Sequence, residues 1–441
     1  MYAGAPHSFV PSKGIPAAKV VVFPIKERRD KKVFLDFMES LFNLNLDIIF
    51  SKKFKFTFKS SKILNLKYPS VDDLRLKAKS KMPKFAFEYL DGGCNEDVNL
   101  RKNTSDIRSV ELIPNYLKDK VKVDLTTSLF GETYAAPFGV APVGLQGLMW
   151  PKAPEILAHA AKKHNLPFVL STVSTASIEK IGKISEGKAW FQLYYPAKKE
   201  VRDDIIQRAS NAGYPVLVLL SDVPTFGFRP RDIRNGLAMP PKMSLNNFVQ
   251  ILKRPEWALK ILINGQPQFE TLLPYMPKGL NLRQLGKFMD ETFDGRLNVE
   301  KIKPIRDQWK GKIVLKGVAS ETDMEKAISL GIDGVIISNH GGRQLDAGQS
   351  TLHALQSLNK KYENQITIMM DSGLRSGTDV ARTLASGAKF TFLGRSFMYG
   401  VGALGTQGGE HTMELIKTEL KQVMDQVGCE KTLDLSNFLV K

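Results

Sequence analysis

The chain has 441 residues, 43% of them apolar and 24% charged, enough for one large core or for two to three ordinary domains. Its net charge of +18 is uneven: residues 1–70 hold 13 Lys and Arg against 5 Asp and Glu, with no zinc-finger spacing or RNP-like aromatic motif to suggest nucleic-acid binding. Cys94 and Cys429 make neither a disulfide framework nor a metal site and fit a reducing compartment, and no uncharged apolar run reaches bilayer length.

Residues 1–67 read apart from the rest. Met1–Pro24 is rich in Pro, Gly and Ala without periodicity, and Val33–Phe50 is apolar but broken by Asp36, Glu39 and Asp47. The alternating basic and aromatic run Lys52–Lys59 fits either an interfacial anchor or an extension outside the folded body. Regular structure is expected from Ser70, which caps a helix carrying Asp72 and Asp73 in its first turn. A second short helix follows from Pro83 through Tyr89 and is closed by Gly92 and Gly93.

Beyond Pro137 one unit recurs: a helix, a glycine stop, a buried strand, then polar residues at the strand's end. Val201–Ala212 leads to Pro215–Leu220 and Asp222; Ser320 opens a helix that leads to Gly334–Ile337 and Ser338-Asn339-His340; Thr378-Asp379 opens another that leads to Lys389–Leu393 and Gly394-Arg395. Strands apolar on both faces, alternating with capped helices, imply a parallel sheet. The eight candidates lie near Phe138–Ala141, Phe168–Leu170, Ala189–Gln192, Val216–Leu220, Ile313–Leu315, Gly334–Ile337, Ile366–Met370 and Lys389–Leu393, which fits a (β/α)8 TIM barrel with its site at the strands' C-terminal ends. The long interval between Gly236 and Val299 carries Phe248, Trp257, Ile261, Phe269, Tyr275, Phe288 and Phe293. Within 242–287 it holds 7 Lys and Arg against 2 Glu, which suits a lid, a subunit contact or a monotopic membrane segment.

The strand ends carry the chemistry. His340-Gly-Gly-Arg343 places a titratable base and a fixed cation on one turn, suited to a substrate with a carboxylate, although a turn whose His caps the next helix has the same pattern. Asp222, at the end of the fourth strand, suits a carboxylate that orients and charge-stabilises His340, with a surface ion pair as the alternative. Lys316, closing an apolar strand, needs an anionic or electron-rich partner and suits a Schiff base or a charged cofactor. Asp371-Ser372-Gly373-Leu-Arg375 and Gly394-Arg395 read as a phosphate cradle on neighbouring loops, and cofactor phosphate fits better than substrate phosphate because other strand ends serve a second ligand.

The motifs Ser338–Asp346, Phe87–Gly93, Ala141-Pro142-Val143-Gly144, Ser171, Phe191–Tyr194, Lys316, Asp371–Arg375 and Gly394-Arg395 together resemble the FMN-dependent α-hydroxy-acid oxidases and dehydrogenases, over residues 68 to 430. The resemblance implies a barrel over 68–441 that binds FMN and oxidises an L-2-hydroxy acid, with L-lactate favoured, an oxygen-using oxidase or a mandelate dehydrogenase next, and a flavin isomerase or a basic membrane-binding module as remote alternatives. It implies His340 as base with Asp222 beside it, Arg343 and Arg229 on the carboxylate, and Tyr89 and Tyr194 near the hydroxyl and carboxylate. It gives Lys316 to the flavin's N1/O2 edge, and Pro142, Val143, Gly144, Ser171, Gln192 and Ser338 to the rest of the cofactor. Asp371, Ser372, Gly373, Arg375, Gly394 and Arg395 fall to the phosphate side. Two departures stand out: Leu220 takes the place of a flavin-contacting Thr, so that contact is either lost or supplied by Ser221, and Phe228 takes the place of an arginine beside Arg229. The insertion looks like that of the membrane-associated bacterial lactate and mandelate dehydrogenases. That implies a quinone or cytochrome acceptor, peripheral attachment through 242–287 on the cytoplasmic side of the inner membrane, and a homo-oligomer, often a tetramer. A bis-histidine haem site within residues 1–136 is excluded, since His7 is the single histidine there.

Overall fold

Strand parity decides the architecture. In the computed structural model, which describes residues 67–119, 121–237, 243–277, 288, 291–293 and 295–440, eight short strands that are apolar on both faces form one parallel sheet. They are β3 (Phe138–Val140), β4 (Val169–Ser171), β5 (Trp190–Leu193), β6 (Val216–Leu220), β7 (Lys312–Val318), β8 (Gly334–Ile337), β9 (Thr367–Met370) and β10 (Phe390–Leu393). Their order runs β3-β10-β9-β8-β7-β6-β5-β4, and a parallel bridge from Val140 to Phe168 brings the two ends together, so the sheet closes as a (β/α)8 barrel. All eight expected strands are present, two of them (Val216–Leu220 and Gly334–Ile337) with the expected bounds and the others with ends shifted by at most three residues.

Side chains alternate between the two faces of this wall. Phe191, Leu217, Leu315, Val335 and Ile368 face the outer helices, whereas Trp190, Val216, Val218, Val314, Ile336, Met369, Phe390 and Phe392 form a separate interior cluster. The bottom is closed by a hairpin of β1 (Thr127–Leu129) and β2 (Glu132–Tyr134), whose turn residue Phe130 sets its ring 5.8 Å from that of Trp190. The interior is therefore a packed plug and not a channel.

Six of the described helices start where a serine side chain satisfies a free N–H group of the first turn. Ser70 forms a reciprocal capping box with Asp73 at the head of Val71–Lys81, and Ser320 accepts from Asp323 N at the head of Glu321–Ser329. One expected start moves. Thr378-Asp379 does not open its helix; Ser376 does, by accepting from Asp379 N, and the helix runs Gly377–Ala385.

In the insertion, helices Leu245–Leu252 and Pro255–Asn264 are pinned to the body. Trp257 donates to Met149 O at 3.1 Å, Arg254 to Met82 O at 3.1 Å, and Glu270 accepts from Ser177 N at 3.1 Å. Trp257 and Phe269 are buried, while Leu245, Leu252, Leu259, Leu262 and Ile263 are exposed. The outward face is aliphatic and the aromatic rings turn inward. The tail expected over 1–67, apart from Lys67 itself, and the segment with Lys242, Lys278, Arg283 and Lys287 lie outside the described residues.

Because Trp190 touches both the hairpin turn and Phe392, Trp190→Ala should lower unfolding stability by roughly 3–5 kcal/mol, read from the denaturant midpoint.

Candidate active site

Two positions above the interior plug, the strands turn polar. Ser171 and Gln192 follow Val169 and Trp190 on the inner face, Lys316 follows Val314, Ser338 follows Ile336 and Asp371 follows Met369, and all five are buried. Leu220 occupies the same layer on β6, paired in register with Lys316. Ser221 does not substitute for a side chain there, because its hydroxyl donates to Lys316 O at 2.8 Å.

Lys316 is the hub. Its Nζ donates to Ser338 Oγ at 2.8 Å and lies 3.3 Å from both Asp222 Oδ2 and Asp371 Oδ2. Burial disfavours the ammonium, but the two carboxylates outweigh it and hold the pKa above the ordinary lysine value. A lysine kept charged is no nucleophile, which leaves the Schiff-base alternative without support. Burial also works against the Asp222 carboxylate, yet Lys316 and His340 hold it far below the usual carboxylate range.

The Asp222 Oδ1 atom lies 2.9 Å from His340 Nδ1. An ionised carboxylate accepts only, so Nδ1 carries the proton and Nε2 keeps its lone pair. For His340, burial outweighs the pull of Asp222 and lowers the pKa, so the ring is neutral at pH 7. Its backbone is left-handed at φ 58°, as are Gly341 at 68° and Gly342 at 71°. For a residue with a Cβ that conformation costs roughly 1–2 kcal/mol. Three bonds hold the turn: His340 N to Ser338 Oγ at 3.1 Å, Gly341 N to Ser372 Oγ at 2.9 Å and Gly342 N to Asn339 Oδ1 at 3.0 Å. Asn339 is itself locked to Asn103 by two reciprocal amide bonds of 2.7 and 2.9 Å. The alternative role as a helix cap falls away, since Ser350 caps the following helix, Thr351–Tyr362.

Arg343 leaves this turn with its Nη1 donating to Tyr89 O at 2.7 Å and Gly92 O at 2.8 Å, and its guanidinium 4.9 Å from the centre of the Tyr89 ring. Gly92 closes helix Lys84–Asp91 in an extended conformation, at φ −78°. What requires glycine there is space, because a Cβ would stand 2.9 Å from Glu88 O and 3.1 Å from Arg231 Cδ. Arg229 donates to Arg343 O and to Gln344 Oε1, each at 3.3 Å. Burial and then Arg229 push the Arg343 pKa down to about 10. Burial also raises the Tyr194 phenol well above its ordinary value, with Asp222, Tyr89, Arg229 and Arg343 as its charged and polar neighbours. The expected base, tyrosines and arginine pair thus converge on one place.

On the opposite side, Ser372 and Gly373 are left-handed at φ 72° and 91°. Ser372 Oγ links Asp371 Oδ1 at 2.8 Å to Gly341 N, and Arg375 donates to Leu374 O at 2.9 Å. Helix Arg395–Leu404 begins at Gly394 without a side-chain cap, which leaves its first N–H groups and positive dipole end for an anion. The Arg395 side chain also braces the site, donating to Leu90 O and Gly92 O at 2.8 Å and to Gly341 O at 2.9 Å, which uses three of the five N–H groups of its guanidinium. Burial and then Arg375 lower its pKa to about 9. Pro142, Val143 and Gly144 border this side and are half-buried; a Cβ on Gly144 would meet Val173 Cγ2 at 2.8 Å.

The layer fits FMN. Gln192 Nε2 is fully buried with no hydrogen-bond partner, a donor that a flat polar edge would satisfy, and Lys316 lies in the same ring of side chains. The residues overlooked from sequence alone are Asp232, Gln344 and Asn103. Asp232 carried a signal, being three residues after Arg229 in a short helix; Asn103 carried none, because its partner is Asn339.

Comparison with known proteins agrees with this geometry. The family described as FMN-dependent dehydrogenase matches residues 78–441. The L-lactate dehydrogenase of Vibrio parahaemolyticus is 37% identical over 371 residues, covering 84% of this chain and 98% of that protein. The L-lactate dehydrogenase of Pseudomonas syringae is 37% identical over 360 residues, covering 81% and 94%. Among solved structures, the monotopic membrane protein (S)-mandelate dehydrogenase superposes with a TM-score of 0.79 at 33% identity, covering 84% of this chain and 98% of that one. Mandelate oxidase does so at 0.71 and 29%, covering 85% and 98%. With a match that spans all the barrel strands, the chain belongs to the FMN-dependent dehydrogenase family.

Proposed function

We propose that this protein oxidises L-lactate to the 2-oxo acid and passes the electrons through FMN to a quinone or cytochrome at a membrane surface. Flavin-dependent oxidation of a 2-hydroxy acid follows from the family and the site; the choice of lactate is supported by the names of relatives 37% identical in sequence. The observation that carries the chemistry is the neutral His340, backed by Asp222, beside the Arg343–Arg229 pair.

Converting a 2-hydroxy acid to a 2-oxo acid removes two electrons and two protons; FMN, when bound, would supply the acceptor for both electrons and for the proton that His340 does not take. Arg343 and Arg229 bind the substrate carboxylate, while the Tyr89 and Tyr194 phenols face its hydroxyl and carboxylate. His340 Nε2 takes one proton, and Asp222 stabilises the imidazolium that forms. Gln192, Ser171, Ser338 and the Lys316 ammonium bind the ring's polar edge, with Pro142, Val143 and Gly144 alongside. Asp371, Ser372, Gly373, Arg375, Gly394 and the N–H of Arg395 face the phosphate side.

The acceptor and location rest on the insertion. Leu245, Leu252, Leu259 and Ile263 are exposed on the two helices, with Lys253 exposed at the C-cap between them, a combination suited to the surface of an anionic bilayer. Among the described residues no helix is long and apolar enough to cross a membrane. Peripheral attachment at the cytoplasmic face, with residues 1–67 as an extension outside the barrel and a homotetrameric assembly, completes the reading.

Three outcomes test it. His340→Gln should keep its FMN while anaerobic bleaching of the flavin by L-lactate slows at least about a hundredfold; unchanged bleaching removes His340 as base, and faster reduction of the parent by mandelate reassigns the substrate. Because burial depresses the His340 pKa, kcat/KM should fall only as pH drops below the ordinary imidazole value, and Asp222→Asn, which removes a charge that raises that pKa, should move the acid limb lower still. Leu252→Asp with Ile263→Asp should reduce co-sedimentation with anionic liposomes at unchanged flavin reduction; retention equal to the parent's would place the membrane contact elsewhere.

A further inference from the structure

Asp232 lies in the first turn of helix Pro230–Arg234, directly after Arg229, and is buried. Its side chain does not cap that helix. Its Oδ2 instead lies 3.5 Å from Arg343 Nη2 and 3.9 Å from Arg229 Nη1. Among the described residues no other carboxylate is ion-paired with either arginine.

We propose that Asp232 determines which acids this site takes: by placing one negative charge against two guanidiniums, it leaves the clamp a single net positive charge, matched to a monocarboxylate and mismatched to a dicarboxylate. This rests on the proposed oxidation of 2-hydroxy acids. Among the described residues around this pair, no spare cation stands ready to receive a second carboxylate. Lys316 is already shared by Asp222 and Asp371, His340 is neutral, and Arg231 is paired with Asp97 and Asp91. Glu88, which accepts from Asn235 Nδ2 at 2.7 Å, adds a further negative charge within electrostatic reach of Asp232. A dianion entering here would carry one carboxylate unbalanced into a buried site, where unpaired charge is costly and solvent screening is weak. Geometry reinforces the effect. Arg343 is fixed by the Tyr89 and Gly92 carbonyls and Arg229 by Arg343 O and Gln344, so neither can swing out to meet a second anion without breaking bonds of 2.7 to 3.3 Å.

The test separates charge from size by using two acids of nearly the same shape, L-malate and its 4-amide, with L-lactate as reference, on the FMN-loaded enzyme. In the parent, kcat/KM for the amide should exceed that for L-malate by at least about tenfold, a difference of ~1.4 kcal/mol. Asp232→Asn, with unchanged FMN content and flavin spectrum, should bring the two within about threefold, while Asp232→Glu should keep the parent's preference. A parent that treats malate and its amide alike, or an Asn variant that loses activity on all three acids in the same proportion, overturns the assignment and leaves Asp232 a packing role. Should the Asn variant fail to hold FMN, the Glu variant decides: a retained preference supports the charge assignment and a collapsed one overturns it. A parent flavin that no 2-hydroxy acid reduces overturns the proposed oxidation itself, whereas reduction by lactate without charge discrimination overturns only the role of Asp232.

Discussion

A buried ammonium between two carboxylates is the constraint on which the site depends. Lys316 sits at the level where the barrel's apolar filling stops, and it cannot remain charged there without Asp222 and Asp371. Those carboxylates are fixed in turn by what they hold: Asp222 orients His340, and Asp371 holds Ser372, which pins the turn after His340. One charge network therefore sets the tautomer of the base, the shape of its turn and the electrostatics of the cofactor floor. Such a network is not an efficient source of stability, because the same volume could hold apolar side chains. It is better understood as orientation retained at a cost, in a barrel whose lower half supplies the folding energy.

The left-handed turn at His340 shows how that cost is met. Three successive residues at positive φ would not persist in isolation, and a helix from outside the barrel contributes to holding them: Val98–Arg108 supplies Asn103, which clamps Asn339. The N-terminal helices are thus structural members of the site.

Much of this was legible in the sequence, and the rest was not, for physical reasons. The eight strands were visible because burial on both faces leaves an unbroken apolar run, and the strand ends were visible because a barrel concentrates its polar residues there. Helix starts were less certain: Ser376 and Thr378 both offer a hydroxyl near the same point, and only the backbone decides which one meets a free N–H. The insertion's composition did not say which side chains face outward: Trp257 and Phe269 are buried, because burial favours the larger rings, and the smaller aliphatic side chains are left outside. Arg395 was legible as a site residue and not as a staple, because three carbonyls cannot be read from composition. Asn103 and Asn339 lie 236 positions apart, and neither has a local pattern that names the other.

Gly92 has a consequence for how the chain is made. Its carbonyl accepts from both Arg343 and Arg395, so a residue near the start of the barrel region is joined to two near its end. During synthesis, helix Lys84–Asp91 emerges first and must wait for about seven-tenths of the remaining chain before its acceptor finds either arginine. A ribosome stalled after β8 and before Arg395 would carry most of the barrel wall with an unfinished site. Acquisition of bound flavin should therefore be among the last events in this protein's maturation, and a natural marker that the final strand has been inserted.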